Sequence, residues 1–503
     1  MPLFWGDIHN HNRMGYGVGS MQRSLDIARG HLDFWAPTPH GQRHGQEVRP
    51  SDAGFDGRVA RGLRRAHDRW PEVQRLVREA YEPGRFVTLL GYEWHSAQYG
   101  DHVLYYPDAE GPLAYFDDIP ELQAYAREKG CLLVPHHLGY PPGASGHDWS
   151  THDSTITPVV EIYSEHGACE RDRGPFPMVQ HSGPGRATET CAQPALADGL
   201  RFGFIASTDG HLGCPGAYPE GLVGLYAAEL TREAIWEALR ARRSIAVTGD
   251  RIAAQLHVNG APMGSELPWT ERRRIRIDVR GWDALDQVDL VKNNRVLKRF
   301  RAAPAGGDWA GQARCRIICG WGRWTGSREL AVTAWQITAE VEAGQIVDAM
   351  PCFRSRPFLE DERPSIHELN AQRCSWSVQT TQRHAVEGIQ CFEDPNTQAV
   401  ALHVEGPPEA RLVVQLTEPV ERAIVVTLGE LAQRAWIEGT GPLPGESVVI
   451  PRLVVPREYA VQEEVTDAAS SRDGADFYYL RVRQENGQMA WTSPIWVEAP
   501  TRS

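Results

Sequence analysis

Leu3-Phe4-Trp5-Gly6-Asp7-Ile8-His9-Asn10-His11 is an apolar run that ends in two histidines one residue apart. Side chains alternate between faces in extended backbone, so residues two apart project to the same side. His9 and His11 therefore share a face at the carboxyl end of a strand candidate, Leu3–His9. Runs of the same kind recur at Leu32–Pro37, Phe86–Tyr92, His102–Tyr106, Cys131–Pro135, Val159–Tyr163 and Phe202–Ser207. Helical stretches near 21–31, 58–81, 119–129 and 194–200 separate them. Thr231 is placed to cap a last helix, Arg232–Arg243, with Ile235 and Leu239 on one face. Strands alternating with helices predict a mainly parallel α/β sheet over residues 1–250, open or closed into a barrel.

The texture changes after Thr248-Gly249-Asp250. Arg274–Val279, Val288–Lys292, Leu330–Trp335, Ala399–Val404, Leu412–Leu416, Ser447–Val455 and Tyr478–Arg483 read as strands between turn-rich segments such as Gly406-Pro407-Pro408. A β-rich, sandwich-like region is expected over 251–503, with long loops within 350–395 and Ala490–Val497 paired as a strand.

The totals exclude several classes. A chain of 503 residues with 41% hydrophobic and 23% charged side chains has material for two or three buried cores. A net charge of −13 argues against nucleic acid or an anionic membrane surface as partner. The N-terminus lacks a basic stretch and a long apolar run, and no window offers an uninterrupted apolar span, so a cytoplasmic protein is expected. Nine cysteines without regular spacing read as free, buried thiols.

Histidine placement locates the chemistry. Of 19 histidines, only His257, His367, His384 and His403 lie beyond residue 211. The strand ends of the first half repeat one theme: His9 and His11, Pro39-His40, Glu93-Trp94-His95, His136-His137, Glu161 within its strand, and Asp209-Gly210-His211, with His102 opening the fourth run. Singly, each has an ordinary reading: His40 can cap a loop, Glu93 can pair with an arginine, His102 can be a core histidine. Together they fall at the edge where parallel βα folds place their sites, which points to a metal site. Imidazole and carboxylate ligands suit zinc, manganese or iron. A carboxylate such as Glu93 can bridge two ions. His147, His152, His166 and His181 lie in Gly- and Pro-bearing loop segments, where surface or packing roles compete with substrate contact; His166, five residues after Glu161, is the candidate proton donor. Arg171, Arg173 and Arg186 in the same segments are either anion contacts or solvated charge, and Cys214 is either a loop thiol or a nucleophile.

These motifs resemble the PHP (polymerase and histidinol phosphatase) superfamily. Gly91-Tyr92-Glu93-Trp94, Val160-Glu161-Ile162-Tyr163-Ser164 with His166-Gly167, and Ala490-Trp491-Thr492-Ser493-Pro494 resemble a bacterial branch of carbaryl-hydrolase-like carbamate esterases. The resemblance implies a distorted seven-stranded β/α, TIM-like barrel holding two or three divalent ions. Carried over by position, His9, His11, Glu93 and Asp209 hold the first ion. Glu93, His102 and either His136 or His137 hold the second, and His40 and His211 the third. Two positions depart from the pattern: Pro39 stands where Asp is common, and Gly17 where another ligand is often supplied.

The expected activity is cleavage of a carboxyl or carbamate ester of a small molecule by metal-bound hydroxide, with Asp209 orienting the water. No Gly-x-Ser-x-Gly elbow offers a covalent route. Phosphoester hydrolysis by the same metals is the alternative. A catalytically weak, metal-containing binding protein is a third reading, supported by Pro39 and Gly17.

Overall fold

The computed structural model describes residues 1–44, 55–176, 185–303, 309–320, 332–356, 358–381, 397–441, 445–470 and 474–500. His181 and part of the 350–395 segment lie outside these. The chain divides into two compact units: Met1–Arg280 with Asp286–Arg301 and Val461–Ser503, and Gly281–Leu285 with Ala302–Ala460.

In the first unit β1 (Leu3–Asn10) is followed by α1 (Met21–His31), β2 (Phe34–Pro37), β3 (His40–His44), α2 (Phe55–Ala80), β4 (Val87–Thr88), β5 (Leu90–Ser96) and β6 (His102–Tyr106). Next come α3 (Ile119–Lys129), β7 (Leu132–Pro135), β8 (Val159–Ser164), β9 (Gly167–Ala168), α4 (Ala192–Ala197), β10 (Gly203–Ala206), β11 (Leu222–Tyr226), α5 (Arg232–Arg240) and β12 (Ser244–Val247). Local chemistry sets the helix starts. Ser20, Asp118 and Thr231 each accept a backbone N–H of the first turn, satisfying a donor that has no partner within the helix. Apolar residues at helical spacing on α2, namely Val59, Ala66, Trp70, Val73 and Val77, are buried.

The strands of this half do not close into one barrel among the described residues. β2–β1 pair in parallel, and β1, β11 and β12 then run antiparallel. β3 and β5 are parallel, but β5, β6 and β7 are antiparallel. β8 and β10 form a third, parallel pair flanked by β9. The expected mainly parallel sheet is thus a set of mixed sheets, joined by single links such as the Asn10–Gly210 bridge and Leu133 N–H to Ile156 O at 2.8 Å. Proline is one physical cause of the division. Pro37 and Pro39 have no N–H to donate, so the run from Phe34 breaks into β2 and β3, which pair in different sheets. Register also shifts between Asp7 and Asn10, His40 and Gln42, and Ile205 and Ala206, at the strand ends that carry the histidines and carboxylates.

Several strands beyond residue 250 belong to the first unit. β12 pairs with Met489–Thr492 (Ile245 opposite Thr492, Val247 opposite Ala490), and Asp476–Gln484 pairs with both Met489–Thr492 and Ile495–Val497. The Ala490–Val497 segment is therefore extended and paired, and its partners include a strand of the first half. The second unit holds two five-stranded sheets around one core that includes Ile317, Trp335, Ile337, Trp376, Leu402 and Leu412. Burial alternates along Gln312–Gly320 and Val332–Glu342, as strands with one face on a core require. The eight described cysteines are buried free thiols, and no described helix is long and apolar enough to cross a membrane.

Candidate metal centre

Alternation on β1 sends His9 and His11 to one side, where both are buried. Their Nε2 atoms lie 3.2 Å apart. His9 Nδ1 faces Glu161 Oε2 at 3.1 Å, which directs Nε2 inward. Asp209 brings Oδ1 to 2.9 Å from His11 Nε2 and 3.4 Å from His9 Nε2. Its Oδ2 meets His137 Nε2 at 3.0 Å and His166 Nε2 at 3.2 Å.

Glu93 on β5 is the hub. Oε2 lies 3.1 Å from His40 Nε2, 3.3 Å from His11 Nε2 and 3.7 Å from His9 Nε2. Oε1 lies 2.8 Å from His136 Nε2 and 3.4 Å from His95 Nε2. The carboxylate thus has histidines on both of its oxygens. His11, His40 and His211 bring ligand nitrogens within 4.8 Å of one another, and so do the donor atoms of His9, His136, Glu161 and Asp209. Tyr16 stacks on His40 with ring centres 3.6 Å apart. Gly17, where the family pattern suggested a ligand, has no room for one: a Cβ there would stand 2.9 Å from Asn12 N.

His102 is not brought into this group. On the β5–β6 ladder it pairs with Trp94, while Glu93 pairs with Val103. Cross-strand partners share a face, so His102 points with Trp94 and away from Glu93. Its Nδ1 is 2.9 Å from Gly100 O and its ring meets His147. In its place stands His95, two residues after Glu93 and on the same face, backed by Asp101. The same period-two spacing that singled out His9 and His11 also marks Glu93 and His95; Asp101 carries no comparable signal. Tyr140, whose hydroxyl lies 3.2 Å from His166 Nδ1, is a further neighbour without a sequence signature. Cys214 is buried with its Sγ 3.3 Å from Arg23 Nη2. Arg186 is committed to the carbonyls of Ala168 and Arg171.

The electrostatics favour a cation. Burial alone would lower the His9 pKa, but the charges of Asp209 and Glu161 raise it well above the usual imidazole value. Burial would raise Glu93, yet His95, His40 and His136 hold it well below the carboxylate range. Asp209 is likewise held low against its burial, by His9 and His166. His11, by contrast, is lowered to about 3 by burial and the charge of His211, so the neutral ring keeps one nitrogen lone pair available. Among the described residues Glu93 Oε2, Glu161 Oε1 and His40 Nδ1 are buried without a hydrogen bond. Unpaired buried polar atoms are costly, and Glu93, Glu161 and His40 each belong to a set whose donor atoms lie within 4.8 Å of one another, which fits divalent ions. The backbone is also held in uncommon conformations, with φ +44° at His137 and +52° at Asp209. Left-handed non-glycine residues cost about 1–3 kcal/mol each and persist where surrounding structure demands them.

Fold and site together define a mixed α/β, strand-rich chain with a buried histidine–carboxylate cluster able to hold metal ions. No family model matches the chain. It is 28% identical over 259 residues to an uncharacterized protein of Chlamydia pneumoniae, covering 46% of this chain and 41% of that one. It is 26% identical over 332 residues to an uncharacterized protein of Chlamydia muridarum, covering 59% and 49%. A third such protein, of Chlamydia trachomatis, is 26% identical over 263 residues, covering 45% and 40%. The matches span less than half of each relative. A solved two-domain protein containing a predicted PHP-like metal-dependent phosphoesterase, from Bacteroides vulgatus, aligns over 85% of this chain and 95% of its own at 10% identity, with a TM-score of 0.31. A score that low establishes no shared fold.

Proposed function

We propose that this protein is a metal-dependent hydrolase that cleaves an ester-type bond, a carboxyl or carbamate ester, of a small molecule. The observation that carries the reading is Glu93, whose two oxygens face separate histidine sets. His9, His11, Glu93 and Asp209 would hold one ion. Glu93 and His136, with His95 and His137, would hold a second, and His40 and His211 a third. The donor set suits manganese, zinc or iron. When bound, such ions supply Lewis acidity and the activation of water for hydrolysis.

The chain's own residues divide the remaining work. His9, His11, His40 and His136 are sealed from solvent, whereas the side chains of His166 and His211 are 20% and 29% exposed. Substrate therefore approaches on the His166–His211 side. His166 sits between Asp209 Oδ2 and the Tyr140 hydroxyl, whose ionisation burial pushes up, so that hydroxyl stays neutral. This places His166 to hold a proton beside Asp209 and pass it to a leaving oxygen. The Glu165 carboxylate stands at this open side, 3.2 Å from His211 Nδ1, and Arg186 is engaged elsewhere, which supports a carbonyl substrate over a phosphate.

The test is a panel of p-nitrophenyl acetate, an aryl methylcarbamate and p-nitrophenyl phosphate, with manganese or zinc added. Turnover of either carbonyl substrate, abolished by chelator and restored by metal, is expected. Turnover of the phosphate alone would transfer the site to phosphoester hydrolysis. No turnover with ions bound would leave a metal-containing binding protein.

A further inference from the structure

Asp101 stands directly behind two of the histidines. It lies in the turn from β5 to β6, buried. Its Oδ1 accepts the Ser96 N–H at 2.8 Å, which fixes the carboxylate plane. Its Oδ2 lies 3.1 Å from His95 Nδ1 and 3.5 Å from His137 Nδ1. Its carbonyl also accepts the His136 N–H at 3.2 Å, tying β6's entry to the His136-His137 pair.

Each of these rings turns its other nitrogen toward the cluster. His95 Nε2 is 3.4 Å from Glu93 Oε1, and His137 Nε2 is 3.0 Å from Asp209 Oδ2. Glu93, His95, Asp101, His137 and Asp209 thus form a continuous arc. His136 spans its open ends, with Nε2 2.8 Å from Glu93 and Nδ1 3.7 Å from Asp209. A neutral imidazole carries one N–H. A carboxylate beyond Nδ1 holds that proton at Nδ1 and leaves the Nε2 lone pair for an ion. Asp101 does this for His95, 3.1 Å away, whereas His137 Nδ1, at 3.5 Å, makes no hydrogen bond to it.

We infer that Asp101 is a positioning residue that sets the Nε2-donor tautomer of His95 and so completes an ion subsite beside Glu93. The inference rests on the metal-dependent reading proposed above. Asparagine could not replace Asp101: its amide has one acceptor oxygen, and its NH2 would meet an N–H donor.

The experiment uses the full chain. Ion content and affinity are measured by elemental analysis and chelator competition with manganese, for the natural protein and Asp101→Asn. Loss of an outer carboxylate typically weakens metal binding about 10–100-fold. We expect a loss of that size for one ion, with the others retained. Combining Asp101→Asn with His95→Gln should add less than the sum of the two, because they act through one ring. At saturating cobalt the visible spectrum of Asp101→Asn should match the natural protein. An altered ligand field would make Asp101 a direct ligand and overturn the inference, as would unchanged affinity for every ion. Should Asp101→Asn not fold, histidine ring ¹⁵N shifts of the zinc-loaded natural protein decide. Protonated Nδ1 on His95 is expected, and Nδ1-bound zinc there refutes the assignment. A natural protein that retains no ion at all would instead refute the metal-dependent reading itself.

Discussion

Glu93→Gln removes one charge and little volume at the point where the histidine sets meet. The carboxylate oxygens stand 2.8–3.7 Å from five histidine nitrogens, so an ion held by either set lies within a few ångströms of that charge. At an effective dielectric of about 20, two unit charges roughly 4 Å apart interact by about 4 kcal/mol, and a divalent ion feels no less. With 1.4 kcal/mol to each factor of ten, the substitution should weaken each of two ions by roughly 10³-fold. The amide keeps one acceptor oxygen, so the metal-free fold should survive. The assay is elemental analysis after dialysis, chelator competition, and turnover of p-nitrophenyl acetate, with the metal-free melting temperature as control. Loss of two ions and of activity at unchanged metal-free stability is expected. Loss of one ion alone would remove the bridge, and full metal content with full turnover would refute the reasoning about Glu93.

Three further outcomes follow from the packing. Trp335 is fully buried, with Nε1 donating to Thr380 Oγ1 at 2.8 Å; Trp335→Ala should cost about 3–5 kcal/mol in urea denaturation, and a loss under 1 kcal/mol would contradict its place in the core. Deleting residues 489–503 removes the partner of β12 together with buried Trp491 and Trp496. Two such residues at about 3–5 kcal/mol each rival a domain's whole stability, so soluble yield should collapse, and unchanged melting would show the strand to be dispensable. Burial pushes the Asp476 carboxyl up, but hydrogen bonds from Ser470 and Asn293 and the charge of Lys292 outweigh it and hold its pKa below the usual value. A depressed carboxylate stabilises the fold above its unfolded pKa, near 3.9, and that contribution fades as pH falls further. The acid limb of stability below about pH 4 should therefore flatten in Asp476→Asn, and an identical limb would remove Asp476 from the linkage.

What was legible in the sequence is what depends on one strand at a time. His9 and His11 follow from period-two spacing alone, and Thr231 from the chemistry of a helix start, because neither needs a distant partner. His102 shows where that reasoning stops. Its residue type and strand-edge position matched a ligand, yet its direction is decided by which residue it faces on β5, and pairing with Trp94 turns it away from the cluster. Shifting that register by one residue would have put it beside Glu93. Register is a relation between two strands, absent from either one. The same holds for the closure of the sheets. The Pro37–Pro39 interruption was visible, but not that the run beyond it would pair in another sheet. β12 opposite Met489–Thr492 joins residues more than 240 positions apart, so a change of texture at residue 250 could mark where strand composition changes without marking where a compact unit ends. His95 and Asp101 belong to the same class of information. The His95 side chain lies on Glu93's face by spacing, but its value as a ligand depends on the carboxylate behind it, and that carboxylate is supplied by the turn that delivers His102 to the opposite face. One local geometry thus withdraws the histidine the family resemblance advertises and supports one that only its spacing marks.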